Sequence, residues 1–231
     1  MKNFRYLFAS AILGLAALHL MPGPAQAAFV TYNFGGTMLT DLTGSPLAGT
    51  FSFGQSVSGS FVLDNSIADS DGDPAFGTFP GAITSISVTI GSYVASATGG
   101  DLYTQNDFPD DAVNVAAFVN DGPFVGSAAV TGASIGALDL GGILLVLQDS
   151  TSTALTSDAM PSPIGLSGFD SLYGLLEFYD PLDEVGDPVS LAFSLESLDS
   201  VAQISETGTL ALFGLGIASV AFIRRRKLPT R

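Results

Sequence analysis

The run Ile86-Ser87-Val88-Thr89-Ile90 alternates apolar and hydroxylated side chains without a break. A period of two places Ile86, Val88 and Ile90 on one face and Ser87 and Thr89 on the other. β-Branched residues favour extended backbone, so the run predicts a half-buried strand. Gly91 follows, and Ser92 to Ala97 is placed to return as a hairpin partner. Upstream, Val57-Ser58-Gly59-Ser60-Phe61-Val62-Leu63 puts Val57, Phe61 and Leu63 on one face. Downstream, Val189 to Glu196 alternates as well. Val113 to Val119 and Ile143 to Leu147 are denser apolar runs, which predicts strands buried on both faces. Turn chemistry separates these runs: Gly44-Ser45-Pro46, Gly72-Asp73-Pro74, Phe79-Pro80-Gly81, Asp121-Gly122-Pro123 and Gly186-Asp187-Pro188. Phe169 to Phe178 fits a short helix or a strand equally. No amphipathic helix pattern and no repeat of fixed period occurs between the two ends. Many short strands joined by turns predict an all-β chain, an antiparallel β-sandwich over residues 28–200. Roughly 175 residues suffice for one core.

The two ends read differently. Residues 1–27 have the three parts of an export signal: basic Lys2 and Arg5, an apolar run from Leu7 to Met21, and the helix-breaking Pro22-Gly23-Pro24 before Ala25-Gln26-Ala27. Cleavage is expected after Ala27, with Ala28 opening the mature chain. The alternative is an uncleaved N-terminal anchor. At the other end, Thr209 to Ile223 carries no charge and is followed at once by Arg224, Arg225, Arg226 and Lys227. A spanning helix ordinarily needs roughly 20 apolar residues. This shorter segment can reach across through local thinning and snorkelling of the arginines. The alternative is a buried core helix, but the segment is apolar all round. A basic stop of this kind stays cytoplasmic, so a single transmembrane helix at 209–223 would leave the preceding domain outside. Residues 201–231 thus divide into a short linker, the anchor helix and a basic tail.

All seven Lys and Arg residues lie in these ends, at positions 2, 5, 224–227 and 231, and the one histidine, His19, lies in the export signal. The stretch between has no Lys, Arg or His, the chain has no Cys or Trp, and every acidic residue of the 22 except Glu206 falls in that stretch. Nucleophilic triads need an imidazole. Zinc sites take His or Cys, and phosphate cradles and nucleic-acid surfaces recruit cations. No nucleic-acid partner is therefore expected. What remains is carboxylate chemistry, hard-cation binding, or recognition of neutral groups through Ser, Thr, Asn, Tyr and backbone. Disulfides are excluded.

The tail Ser205-Glu206-Thr207-Gly208-Thr209-Leu210, the glycine-spotted apolar run and the Arg224-Arg225-Arg226-Lys227 cluster together resemble the PEP-CTERM sorting signal. In that family a Pro-Glu-Pro motif precedes a short hydrophobic helix and a basic cluster. The likeness is close over roughly the last 25 residues, and Asp69 to Ile90 is loosely similar to segments of other members. Here Ser205 and Thr207 stand where the two prolines would be; proline restrains the chain ahead of a helix and presents it extended. The resemblance implies export through the Sec translocon and signal peptidase, and recognition by exosortase, a membrane protease-transpeptidase of Gram-negative bacteria that make exopolysaccharide. It also implies anchoring in the inner membrane with the domain in the periplasm, then transfer to the cell surface or extracellular matrix.

Asp69-Ser70-Asp71-Gly72-Asp73 is the densest acidic cluster. Alternate aspartates in a turn can converge oxygens on calcium, so Asp69, Asp71 and Asp73 are the candidate ligands. The EF-hand pattern is not met, because Pro74 and Pro80 stand where Gly and Glu are required. The competing reading is a solvated acidic turn. Asp107, Asp110 and Asp111 form a second acidic group, and Asp180, Asp183, Glu184 and Asp187 a third. Paired carboxylates can hydrolyse glycosides, and Tyr93, Tyr103, Tyr173 and Tyr179 are the aromatics available to stack on sugar, although such residues commonly sit at the edge of a core. The expected function is a non-enzymatic exported surface or matrix protein, with no required cofactor. The alternatives are a calcium-assisted exopolysaccharide-binding module and a glycoside hydrolase using carboxylates alone.

Overall fold

The computed structural model describes residues 29–183 and 186–202. Within them the chain forms β1 (Phe29–Thr37), β2 (Ser56–Asp64), β3 (Phe76–Phe79), β4 (Ile83–Ile90), β5 (Tyr93–Thr98), β6 (Asp101–Gln105), β7 (Asp111–Phe118), β8 (Ala129–Thr131), β9 (Asp139–Asp149), β10 (Ser171–Tyr179), β11 (Val189–Ser194) and β12 (Ser197–Ala202). No helix occurs among the described residues. The strands make two antiparallel six-stranded sheets. Sheet A has the order β12-β1-β2-β4-β5-β8, and sheet B the order β11-β10-β9-β7-β6-β3. The all-β, sandwich-like reading of the sequence therefore holds over the described residues.

The alternation seen in the sequence sets the inward face. Val57, Phe61 and Leu63 of β2, and Ile86, Val88 and Ile90 of β4, are all buried. The hairpin at Gly91 forms with β4 and β5 in register, Ile90 opposite Tyr93. Gly91 has φ of 59°, a left-handed turn that glycine adopts without strain. The denser runs become β7 and β9 at the centre of sheet B. There Val113, Val115 and Leu145 face the core, while Ala112, Ala116 and Val146 on the opposite face are buried as well. The ambiguous segment at 169–178 resolves as strand β10. A helix there would leave β9 without its neighbour on that side, since nine residues of β10 pair with β9. Strand β12 runs two residues beyond 200, because Val201 and Ala202 pair with Thr31 and Val30 of β1.

Two mid-strand glycines make room for rings from the neighbouring strand. A side chain at Gly59 would lie 2.2 Å from Phe34 Cζ, and one at Gly174 would lie 2.1 Å from Phe193 Cζ. Phe34 is opposite Gly59 and Phe193 opposite Gly174. The two rings then meet across the sandwich at 6.3 Å, nearly parallel. Each ring occupies the slot its partner glycine leaves, which fixes register by shape.

Long loops close the rest of the core. Residues 38–55 bury Leu42, Leu47 and Phe51, with Phe51 edge-on to Tyr93 at 5.1 Å. The same loop covers the outer edge of β11, where Leu39 N donates to Ala192 O and Ala192 N donates to Thr40 Oγ1. Residues 150–170 pack Leu155, Met160, Leu166 and Phe169 against the core and bury Ile164. That loop is tied down by the Ile164 amide, which donates to the hydroxyl of fully buried Tyr32 at 3.0 Å.

Candidate functional site

The cleavage residues Ala25, Ala27 and Ala28, the motif Ser205-Glu206-Thr207-Gly208-Thr209-Leu210, the anchor helix at 209–223 and the basic stop Arg224-Arg225-Arg226-Lys227 all lie outside the described residues. Among the described residues no helix is long and apolar enough to cross a membrane.

The acidic turn between β2 and β3 is exposed and folded on its own backbone. Asp69 Oδ1 accepts from the amides of Asp71 and Thr78, Asp71 Oδ1 from that of Asp73, and Asp73 Oδ1 from that of Ala75. The carboxylates form a staircase of Asx turns, each pointed at the residue two further on. Among the described residues, no group of three or more acidic, His or Cys side chains is placed to hold a metal ion.

The second acidic group is where the fold concentrates carboxylates. Asp111 opens β7, Asp149 closes β9, and the two are direct cross-strand partners, both fully buried. No cation lies in this part of the sequence, and like charges opposed on a sheet repel. Amides and hydroxyls take the place of counterions. Asp149 Oδ1 accepts from the Thr151 amide and hydroxyl, and its Oδ2 from the Thr153 amide and hydroxyl and the Ala154 amide. The Thr151 hydroxyl, then the Thr153 and Thr151 amides, hold the Asp149 carboxyl far below the usual carboxylate range. Asp111 accepts from the amides of Asp107 and Leu155. Neighbouring Asp110 accepts from the Gln148 side chain at 2.7 Å. The arrangement locks two loops, 106–110 and 150–155, to one end of sheet B. Asp149 was not singled out in the sequence, although the run Asp149-Ser150-Thr151-Ser152-Thr153 carries the signal: a carboxylate followed by hydroxyl residues closes tight local turns.

The third acidic group is again local: Asp180 Oδ1 accepts from the Leu182 amide. Glu184 of that group lies outside the described residues.

The four tyrosines take two different roles. Tyr93 and Tyr179 are buried. Desolvation pushes both hydroxyls up to about 12, and the carboxylate of Asp121, which accepts from Tyr179 at 2.9 Å, adds to the effect there. Tyr103 and Tyr173 stand on the outer face of sheet B, the face that Tyr179 shares, but unlike Tyr179 they are not covered by the loop carrying Asp121 and Phe124. On the outer face of sheet A, Ser60, Ser85, Ser87, Ser96, Thr98 and Thr131 line a shallow groove of about 290 Å³. Four of these hydroxyls pair with one another, Ser60 with Ser87 at 3.3 Å and Ser96 with Thr131 at 2.8 Å. Compared with known proteins, the chain matches no family model, no curated protein and no solved structure.

Proposed function

We propose that the chain is a non-enzymatic surface or extracellular-matrix protein, exported by residues 1–27 and held at the inner membrane by residues 209–223. The observation that carries this reading is the partition of charge. Every Lys and Arg lies in the two ends, and the whole stretch between is free of cations. A basic start before an apolar run is what a translocon engages, and a basic cluster after one is what stops transfer. The PEP-CTERM-like tail adds exosortase as the processing partner, with Glu206 at the centre of the motif. β12 ends at Ala202, so only a short stretch of chain separates the paired strand from that motif.

Mass spectrometry of the protein recovered from fractions of its native host tests the reading. A mature N-terminus at Ala28 is expected, with a C-terminus near Glu206 in the surface fraction or an intact tail in the inner membrane. A chain beginning at Met1 and recovered from the cytoplasm refutes it.

A further inference from the structure

Sheet B carries an aromatic row that no part of the export reading uses. Register places Tyr103 of β6, Asn114 of β7, Val146 of β9 and Tyr173 of β10 directly opposite one another in turn, so all four share one cross-strand row. The residues flanking Tyr103, Leu102 and Thr104, are buried against the core, which puts the row on the outer face. Adjacent strands lie about 4.8 Å apart, so the two tyrosine positions are about 14 Å apart along the row.

We propose that this row is a platform for a neutral polysaccharide. The claim goes beyond the export reading and is independent of how the tail is processed. A pyranose ring presents an apolar C–H face bordered by hydroxyls; a tyrosine presents an apolar ring with a polar tip. Two such rings flank a half-buried amide and the buried Val146, which supplies an apolar floor. Neither the Asn114 amide nor the Tyr173 hydroxyl has a side-chain hydrogen-bond partner among the described residues, so both are free to pair with sugar hydroxyls. The Tyr103 hydroxyl donates to Asp101 at 3.1 Å. That bond holds the ring in place and reduces the freedom lost on binding.

Charge selects the class of polymer. The domain has no Lys, Arg or His to neutralise an anionic chain, and Asp101 borders the row. An anionic polysaccharide or a second copy of this acidic domain is repelled, while an uncharged polyol meets no such cost. The groove on sheet A is the weaker candidate, because four of its six hydroxyls already pair with one another and it has no aromatic lining.

Affinity electrophoresis of the full-length protein in detergent tests the platform, using native gels containing hydroxyethyl cellulose, galactomannan, arabinoxylan or amylose, with an alginate gel as the anionic comparison. Retardation is expected in at least one neutral gel, unchanged by EDTA, and absent in alginate. Tyr103→Ala and Tyr173→Ala should each weaken it by about tenfold, because each removes one stacking ring. Tyr103→Phe keeps the ring and should stay within about threefold. Asn114→Ala, which removes no ring, should weaken binding several-fold, and Ser87→Ala on sheet A should leave it unchanged. Thermal unfolding of each variant reports whether it is folded; if an alanine variant at a tyrosine unfolds, Asn114→Ala and Tyr103→Phe carry the test. No retardation in any neutral gel overturns the proposal. So does retardation that survives these substitutions, that responds to Ser87→Ala instead, or that requires calcium.

Discussion

Replacing Gly59 with alanine tests whether the glycine slots specify this sandwich. An added Cβ would sit 2.2 Å from Phe34 Cζ, 2.6 Å from Phe34 Cε2 and 2.4 Å from the Ser87 carbonyl oxygen. Favourable contact distances are about 3.5–4.0 Å, so the methyl overlaps both the ring and the backbone. Phe34 has little room to turn away, being 4% exposed and packed against Phe61 and Phe193. The Ser87 carbonyl belongs to β4, which pairs with β2 on one side and β5 on the other, so it can move only by disturbing both ladders. Overpacking of this kind costs about 1–3 kcal/mol. The alanine recovers about 0.5–1 kcal/mol of the entropy that a mid-strand glycine loses. With ring and backbone both obstructing, the net destabilisation is about 2 kcal/mol. In a domain of this size that lowers Tm by about 4–8 °C. Urea and thermal unfolding followed by circular dichroism read the change. Gly49→Ala is the control, since nothing lies within 4 Å of its position, and it should be neutral or slightly stabilising. Combining Gly59→Ala with Phe34→Leu should recover part of the loss, a coupling that a double-mutant cycle measures. A Gly59→Ala protein that melts with the parent refutes the slot argument.

Tyr32→Phe removes the acceptor of the buried Ile164 amide, which should cost about 1–3 kcal/mol and speed hydrogen exchange at Ile164 more than at Val88; unchanged stability and exchange would contradict the tie. Asp149→Asn replaces an acceptor with an NH2 group facing amide donors, so it should lower Tm and open residues 150–154 to protease. Asp149 has a depressed folded-state pKa, so its contribution is present above the unfolded value near 4 and lost as pH falls below it. The Tm gap between parent and Asp149→Asn should therefore narrow only below about pH 4, and a gap that stays constant into acid would refute the assignment. Tyr93 and Tyr179 have raised values, so their contribution is intact below about pH 10 and lost as pH climbs through 12. Tyrosinate absorbance should rise together with unfolding in that window, and full titration near pH 10 in the folded protein would be the contrary result. Raising ionic strength from about 0.01 to 0.15 M should raise Tm, since an all-acidic domain gains from screening and has no ion pairs to lose.

Strands with a strict period of two were legible because one face of each is buried and the other is not: Ile86 to Ile90, Val57 to Leu63 and Val189 to Ser194 appear in the fold where the alternation puts them. β7 and β9 were legible for the opposite reason, since central strands buried on both faces lose their polar alternation. Segment 169–178 was ambiguous because Leu172, Leu175 and Leu176 satisfy a helical spacing as readily as a strand, and only pairing with β9 and β11 decides between them. Short β3 and β8 carry too few residues for any period to register. The carboxylate centre at Asp111 and Asp149 was half legible. Asp111 stood in an acidic run, but its partner lies 38 positions away by sequence number and joins it only through the β7–β9 register. The division of the tyrosines was not legible at all: β6 is too short to display which way Tyr103 faces, and Tyr173 and Tyr179 share the outer face of β10, where only the loop carrying Asp121 and Phe124 buries Tyr179.

A domain with so many acids and no cation must supply its own counter-charges, and the turns show how it does so. Asp41 accepts from the hydroxyl and amide of Thr43, Asp64 from those of Ser66, and Asp149 from those of Thr151. The Thr43 hydroxyl and amide hold Asp41 below the usual carboxylate range by the same means. A carboxylate stabilised by N–H and O–H dipoles two residues away needs no lysine, so the sequence can drop cations altogether and still fold. Asp41, Asp64, Asp71 and Asp73 are bound in this way to their own turns, while Asp110, Asp111 and Asp121 take amide and hydroxyl donors from distant segments. In both cases dipoles stand in for ion pairs, and this bears on the outer face of sheet B. Asp101 uses the same device there, accepting from the Gly81 amide and from the Tyr103 hydroxyl. The interaction that neutralises an acid in the turns thus orients an aromatic ring on an otherwise uncommitted surface. If Asp101→Ala leaves Tm unchanged yet weakens retardation in the neutral polysaccharide gels, within the roughly threefold allowed for Tyr103→Phe, the ring orientation serves binding; if it lowers Tm and leaves retardation intact, Asp101 serves to tie the Gly81 turn to β6.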